Sequence, residues 1–442
     1  MLQKPTKVRY WVLFVVCLVY FITYLDRVNI SVAAPLMLTD FGISKVELGV
    51  VFSSYAISYA LFQIPVGMLG DKYGPRKVLA AIVAFWSLMT ALTPLAWSFA
   101  SLVVIRFIFG IGEAGAFPNA TRAFSHWIPS TERGFAQGIT HAFARGGGAL
   151  TPMIIAPLML AFGWRISFFI CAVIGLIWAG GWYFWYRDKP GEYNEKWSGS
   201  INQAEMDLID QGKLLKKAAP KLPFRQLLQS KNMWALCIGY FCYCYVIWIY
   251  LSWLPTYLVD ARGFTIMKMG LFASLPLLAG TVGDTLGGWL SDLIWKRTNS
   301  GKFARRVVAI AGSLVSAVFL IPAAMTDSAN LAVFLLACSL FGMEMSVGVY
   351  WAVCLDVGHE YAGTVSGMMN SIGNLGSALS PIVFGLIVQH TGSWVYPFLV
   401  ASGLLVVAAV LWTRINPEIS LADELNLAET AAKAGLQSKT IE

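Results

Sequence analysis

Twelve apolar runs succeed one another along the chain, at about 10–35, 46–69, 76–97, 101–122, 135–160, 165–186, 232–258, 268–291, 304–325, 330–354, 362–388 and 394–414. A bilayer's hydrocarbon core takes about 20 helical residues, so the pattern predicts an all-α membrane protein with twelve transmembrane helices. One long polar connection, from Arg187 to Lys231, separates six runs from six. Within it, Gln203 to Leu215 has the spacing of an amphipathic helix lying at the membrane surface. The expected organisation is an N-terminal six-helix half over 1–186, a cytoplasmic linker over 187–231, a C-terminal six-helix half over 232–414 and a cytoplasmic tail over 415–442.

Composition agrees, with 57% hydrophobic and 13% charged residues in 442, against about a quarter charged in soluble domains. The net charge of +8 would suit nucleic acid, but its distribution argues otherwise. Of 32 Lys and Arg, 25 fall in the N-terminus, the even-numbered loops and the C-terminus. That bias predicts cytoplasmic termini and no nucleic-acid partner. The first apolar run follows Lys4, Lys7 and Arg9 and is too long for a signal-peptide core. The seven cysteines sit in apolar runs without zinc spacing, and four histidines form no catalytic pattern. An enzyme, a metal and a cofactor are therefore not expected. Gly110-Ile-Gly112-Glu-Ala-Gly115 fits a dinucleotide fingerprint but has no preceding strand. No P-loop is present either, so transport would be driven by gradients.

The halves echo one another. Gly67-Met-Leu-Gly-Asp71-Lys-Tyr-Gly-Pro-Arg76-Lys77 follows the second run, and Gly288-Trp-Leu-Ser-Asp292 follows the eighth. Duplicated halves place a substrate site near the midplane between them. The first copy resembles the loop signature of the major facilitator superfamily, whose two six-helix halves the resemblance implies here. Gly67, Asp71, Arg76 and Asp292 are then candidate gating residues, with simple topological anchoring as the rival role.

Charges inside apolar runs carry the chemistry. Arg106 and Glu113 lie seven residues apart, and Asp26 and Arg27 are adjacent in the first run. A charge at the bilayer centre costs roughly 2.5–3.5 kcal/mol, so such residues face the bundle interior. Seven helical residues rise about 10 Å, so Arg106 and Glu113 seek partners elsewhere. Arg27 is the expected partner of Glu113, leaving Asp26 a separate acid. The fifth run adds His141 and Arg145 beside Gly146, Gly147 and Gly148. Protonating Asp26 and Glu113 would release arginines toward an organic anion, so that proton and anion travel together. A structural ion-pair network is the alternative.

The second half is more aromatic. Tyr240 and Tyr243 precede Trp248, Tyr250 and Trp253 on the seventh run, and Tyr350, Trp351, Asn370 and Asn374 follow on later ones. Tyr240, Trp248, Tyr350 and Asn370 are candidate substrate contacts, with packing as their competing role. Asp284 and Glu344 are further acids at membrane depth, open to pairing with basic residues or to proton transfer.

Four stretches sharpen the family. Tyr24-Leu-Asp26-Arg27-Val-Asn29, Arg106-x6-Glu113-Ala-x-Ala-Phe117-Pro118, Trp127-Ile-Pro-x3-Arg133, and Asp356-Val-Gly-x3-Ala-Gly363-Thr-Val-Ser-Gly367-Met-Met-Asn370 resemble the anion:cation symporter family. That family includes bacterial carriers of galactonate, glucarate, hexuronates and phthalate. The resemblance implies that Asp26 and Glu113 carry protons and that Arg27, Tyr59 and Asn370 contact a sugar acid; Arg106 and Arg145 are candidate substrate contacts by their charge inside apolar runs. Where galactonate-type members carry glutamines, this chain aligns Ala144 and Tyr240. The expected function is import of a sugar acid with protons by a monomer in the lipid bilayer. An aromatic carboxylate, export, or a non-transporting sensor are the alternatives.

Overall fold

A computed structural model describes residues 4–129, 132–197, 200–211, 228–358 and 362–419. The linker beyond residue 211 up to 227, the tail from residue 420, and parts of the motifs around 130–131 and 359–361 lie outside the described residues.

Helices make up the described chain: α1 Val8–Phe41, α2 Lys45–Tyr73, α3 Pro75–Leu92, α4 Phe99–Glu113, α5 Ala116–Trp127, α6 Arg133–Phe162 and α7 Trp164–Trp185. Two short helices follow, α8 Pro190–Lys196 and α9 Gln203–Gln211. Then come α10 Lys231–Ser252, α11 Ile266–Thr298, α12 Gly301–Met325, α13 Ala329–Glu344, α14 Val347–Gly358, α15 Ala362–Thr391 and α16 Val395–Trp412. Among the described residues, twelve helical spans are long and apolar enough to cross a membrane.

Local chemistry sets the boundaries. Gly42 ends α1 at φ +60°, in the left-handed region that glycine enters at little cost. Ser44 then starts α2 with a reciprocal capping box: its hydroxyl accepts from the Glu47 N–H, and the Glu47 carboxylate accepts from the Ser44 N–H at 2.7 Å. Three expected spans differ in detail. The fourth breaks after Glu113, and the tenth after Glu344, each resuming as α5 or α14 within three residues. The seventh ends at Ser252 and continues as a single turn over Leu254–Thr256 and a wider turn over Tyr257–Ala261. Pro255 supplies no N–H there, which explains why regular helix stops short of the expected residue 258.

The described residues fall into two compact units. One spans Met1–Lys217, Ile249–Leu278 and Ala378–Ser393; the other spans Ala218–Trp248, Ala279–Ser377 and Trp394–Glu442.

In the first unit, small residues let helices touch backbone to backbone, the usual device in membranes, where apolar burial gives little drive for helix association. A Cβ on Gly147 of α6 would lie 2.7 Å from the Phe21 carbonyl oxygen of α1. At the end where α1 finishes and α2 begins, Gly49 sits directly beneath the Pro381 carbonyl of α15. A Cβ on Gly385 would come within 2.5 Å of the Lys45 carbonyl oxygen, and one on Gly270 within 2.6 Å of that of Pro152. The same seam carries a hydrogen bond from the Val46 N–H to Gln389 Oε1 at 3.0 Å, one from Trp253 Nε1 to the Pro381 carbonyl at 3.1 Å, and a Lys45–Asp260 ion pair at 3.5 Å.

The second unit uses the same device, with Gly283 and Gly287 of α11 against the carbonyls of Phe341 and Met345, and Gly376 of α15 against that of Phe241.

Candidate functional site

Glu113 lies at the last residue of α4 and is fully buried. Its Oε2 accepts from Arg27 Nη2 at 3.0 Å and Nε at 3.3 Å, and from the Tyr55 hydroxyl of α2. Its other oxygen, Oε1, has no hydrogen-bond partner among the described residues. The arginine is buried with it, and Tyr24, Tyr59 and Tyr55 offer ring faces to the guanidinium at 4.7, 5.1 and 5.3 Å. Aromatic faces attract a desolvated cation, so Arg27 is held in place whether or not Glu113 is charged.

Arg106 is 2% exposed, and its Nε and Nη1 have no hydrogen-bond partner among the described residues. It rests over the rings of Phe109 at 4.1 Å and Tyr55 at 5.5 Å. A buried cation without hydrogen bonds is costly, and an anion entering beside it would relieve that cost. Asp26 is 1% exposed and accepts from Trp86 Nε1 of α3 at 3.2 Å through Oδ2. Oδ1 has no partner among the described residues. Asp26 and Arg27 therefore do not pair with each other, as their positions on α1 imply.

Arg145 is half-buried on α6, next to the glycines that press on Phe21 and Tyr24. Tyr24 in turn lies under Arg27, which links the two helices beside the ion pair. Asp26, Arg27, Tyr59, Arg106, Glu113 and Arg145 thus all belong to the first unit.

In the second unit Tyr240 is buried and stacks on Tyr243 at 5.4 Å, with Tyr350 edge-on at 5.3 Å. Tyr350 also packs on Trp412 at 4.8 Å. Trp248 and Asn370 are half-buried on α10 and α15. Trp253 and Tyr250 belong to the first unit, where Trp253 stacks on Phe384 at 5.1 Å as part of the seam.

The loop candidates divide unevenly. Gly67 packs against Pro118, with 3.0 Å left for a Cβ. Asp71 pairs with Arg122 at 3.4 Å in an exposed setting, while Arg76 donates its backbone N–H to Asp188 at 2.9 Å. Burial raises the Asp188 carboxyl above its usual range, against the lowering effect of that N–H. Asp292 instead pairs with Arg305 at 2.8 Å, and Arg305 reaches Asp356 at 3.2 Å. The sequence echo between Asp71 and Asp292 is not matched by equivalent partners.

Two residues absent from the sequence-derived site take part in it. Tyr55 donates to Glu113, and Trp86 donates to Asp26. Tyr55 had a signal, since it precedes Tyr59 by four residues and shares its helix face. Trp86 had none, because its partner is set by the packing of α1 against α3.

Comparison with known proteins bears on the same chemistry. A probable sulfoacetate transporter of Cupriavidus necator is 44% identical over 420 residues, covering 95% of this chain and 96% of the relative. A hexuronate transporter of Bacillus subtilis is 33% identical, covering 89% and 91%. A probable galactarate/D-glucarate transporter of Escherichia coli is also 33% identical, covering 89% and 91%. The solved structure of a bacterial homologue of the human lysosomal transporter Spinster superposes with a TM-score of 0.75 at 20% identity, over 93% of this chain and 97% of that one, which speaks to the fold. The family model described as Major Facilitator Superfamily matches residues 16–381. With twelve spans, an intact loop signature and these matches, the chain belongs to the major facilitator superfamily of membrane transporters.

Proposed function

We propose that the protein is a proton-coupled symporter that imports a small organic anion across a bacterial inner membrane, with both termini cytoplasmic. Asp26 and Glu113 carry the protons; Arg27, Arg106 and Arg145 attract the anion. The observation that carries this reading is the ion pair at Glu113, made through one oxygen, beside a buried Arg106 whose Nε and Nη1 have no hydrogen-bond partner among the described residues. When Glu113 and Asp26 are neutral, neither acid competes with the anion for Arg27 and Arg106. When they are charged, the anion meets competition and leaves. The two six-helix halves, 1–186 and 232–414, alternate access around a midplane site, with Gly67, Asp71, Arg76 and Asp292 in the loops that gate it. The protein works as a monomer.

For the substrate, we place a compact sulfonated acid such as sulfoacetate first. The 44% identical relative is named a probable sulfoacetate transporter, and by resemblance Ala144 and Tyr240 stand where galactonate-type members carry glutamines. A sugar acid is the second reading, supported by relatives named for hexuronate, galactarate and glucarate. Purified protein is tested for thermal shift with sulfoacetate, D-glucarate, D-glucuronate and phthalate. A ligand at 100 times its dissociation constant stabilises by about 2.7 kcal/mol. A shift with sulfoacetate alone supports the first reading, one with the sugar acids the second. A shift with phthalate alone turns the site toward aromatic carboxylates, and uptake unaffected by a pH gradient removes proton coupling.

A further inference from the structure

His141 is an ionisable side chain at membrane depth to which the reading above gives no role. Such residues face a bundle interior or a water-filled cavity. On α6 His141 is exposed, yet it does not belong to the apolar surface of that helix. That surface carries Leu150 and Ile154, 37% and 40% exposed, and Leu150 lies about two and a half turns further on, on the opposite side. The imidazole is walled by rings, with Phe117 of α5 at 5.8 Å and Tyr20 of α1 edge-on at 6.2 Å. Among the described residues, neither of its nitrogens makes a hydrogen bond. A ring needed for packing alone has no use for those nitrogens.

Its neighbours say what they serve. His141, Arg145 and Gly148 share one face of α6, at i, i+4 and i+7. Gly148 packs against Tyr24, with 3.1 Å left for a Cβ, and the Tyr24 ring lies under Arg27. Tyr20, one turn before Tyr24 on α1, meets His141. The two helices thus build two levels, Tyr24 with Arg27 and Tyr20 with His141. Arg27 has Glu113 as its counter-charge, whereas the charged side chain acting on His141 is another base, Arg145. At this spacing their Cβ atoms are about 5–6 Å apart, so one small ligand spans both. A guanidinium only donates hydrogen bonds and an imidazole donates from at least one nitrogen, so the ligand common to both is an anion.

We propose that His141 and Arg145 form a second anion subsite, which takes one acidic group of a two-headed anion while Arg27 and Arg106 take the other. The proposal rests on the anion-transport reading above and narrows its substrate class to small anions with two acidic groups, a sulfonate and a carboxylate or two carboxylates. His141 is the selecting residue of the subsite, because it adds a donor that a single acidic group does not reach.

Affinities of the purified full-length protein are measured by calorimetry for two pairs, sulfoacetate against methanesulfonate and D-glucarate against D-gluconate. In wild type the two-headed member of at least one pair should bind at least tenfold more tightly. His141→Ala should weaken that member about tenfold, the effect of one lost hydrogen bond to a charged group, and leave its single-headed counterpart within about twofold. His141→Gln keeps an N–H donor and should retain most of the preference. His141→Phe keeps a ring without nitrogens and should lose it. These two variants decide the matter if His141→Ala does not fold. Equal losses for both members of a pair, or a preference that survives in His141→Phe, overturn the proposal. A wild type that binds single-headed and two-headed anions alike removes the subsite and leaves anion transport standing; one that binds none of the four removes the reading beneath it.

Discussion

Arg27 and Glu113 meet through a single carboxylate oxygen, with Nη2 3.0 Å from Oε2. Truncating the arginine leaves a buried acid without its cation, so Arg27→Ala should lower anion affinity at least tenfold. Glu113→Gln keeps the shape of the neutral acid and should abolish acid-driven accumulation while retaining anion exchange. Uptake assays under a pH gradient and in counterflow separate the two. Acid-driven accumulation that survives in Glu113→Gln excludes Glu113 as a carrier.

Tyr55→Phe removes one donor from the same oxygen and leaves the ring that faces Arg27 and Arg106. A hydrogen bond to a charged group contributes about 1.5–3 kcal/mol. Thermal unfolding in detergent should detect a loss of that order, and anion affinity should fall less than in Arg27→Ala. An affinity loss equal to that of Arg27→Ala would assign the hydroxyl directly to the substrate.

The seam at Gly49 tolerates no side chain, because the Pro381 carbonyl occupies the space a Cβ would need. Gly49→Val should cut transport at least tenfold in protein that still reaches the membrane. A cysteine placed at Val46 should then react faster with an impermeant thiol reagent than in the parent. Normal transport would show that α2 and α15 need not approach so closely during the cycle.

Away from the spans, Glu132 accepts from Arg9 Nε at 2.9 Å and Nη2 at 3.1 Å, and from the Tyr10 hydroxyl at 3.2 Å. Arg9 chiefly holds the Glu132 carboxyl below its usual value of 4.5. A depressed folded value contributes stability above about pH 4.5 and loses it as pH falls through the folded value. Glu132→Gln should therefore unfold at a lower temperature than the parent near neutral pH, by no more than about 1 kcal/mol. The difference should vanish in acid. A gap that persists at low pH would point to packing instead.

The spans were readable because a membrane crossing demands twenty apolar residues in succession, and the Arg27–Glu113 pair because few charges enter those spans. Adjacent Asp26 and Arg27 point apart on a helix, so Arg27 had to look elsewhere, and Glu113 was its expected partner. Trp86 was not readable as the partner of Asp26, since an indole in an apolar run looks the same whether it packs or donates. The helix breaks after Glu113 and Glu344 were also hidden. Hydropathy continues across both, and only the close approach of neighbouring helices at Gly110 and Gly115, and at Gly342, marks them.

Those breaks make a spanning helix into two jointed rods, with an ionisable residue at the joint. The second rod of the fourth span, α5, is twelve residues long, about 18 Å of lever by helical rise, and carries Arg122 to its contact with Asp71. A change at Glu113 would reach α5 through the two residues of the joint alone, Ala114 and Gly115.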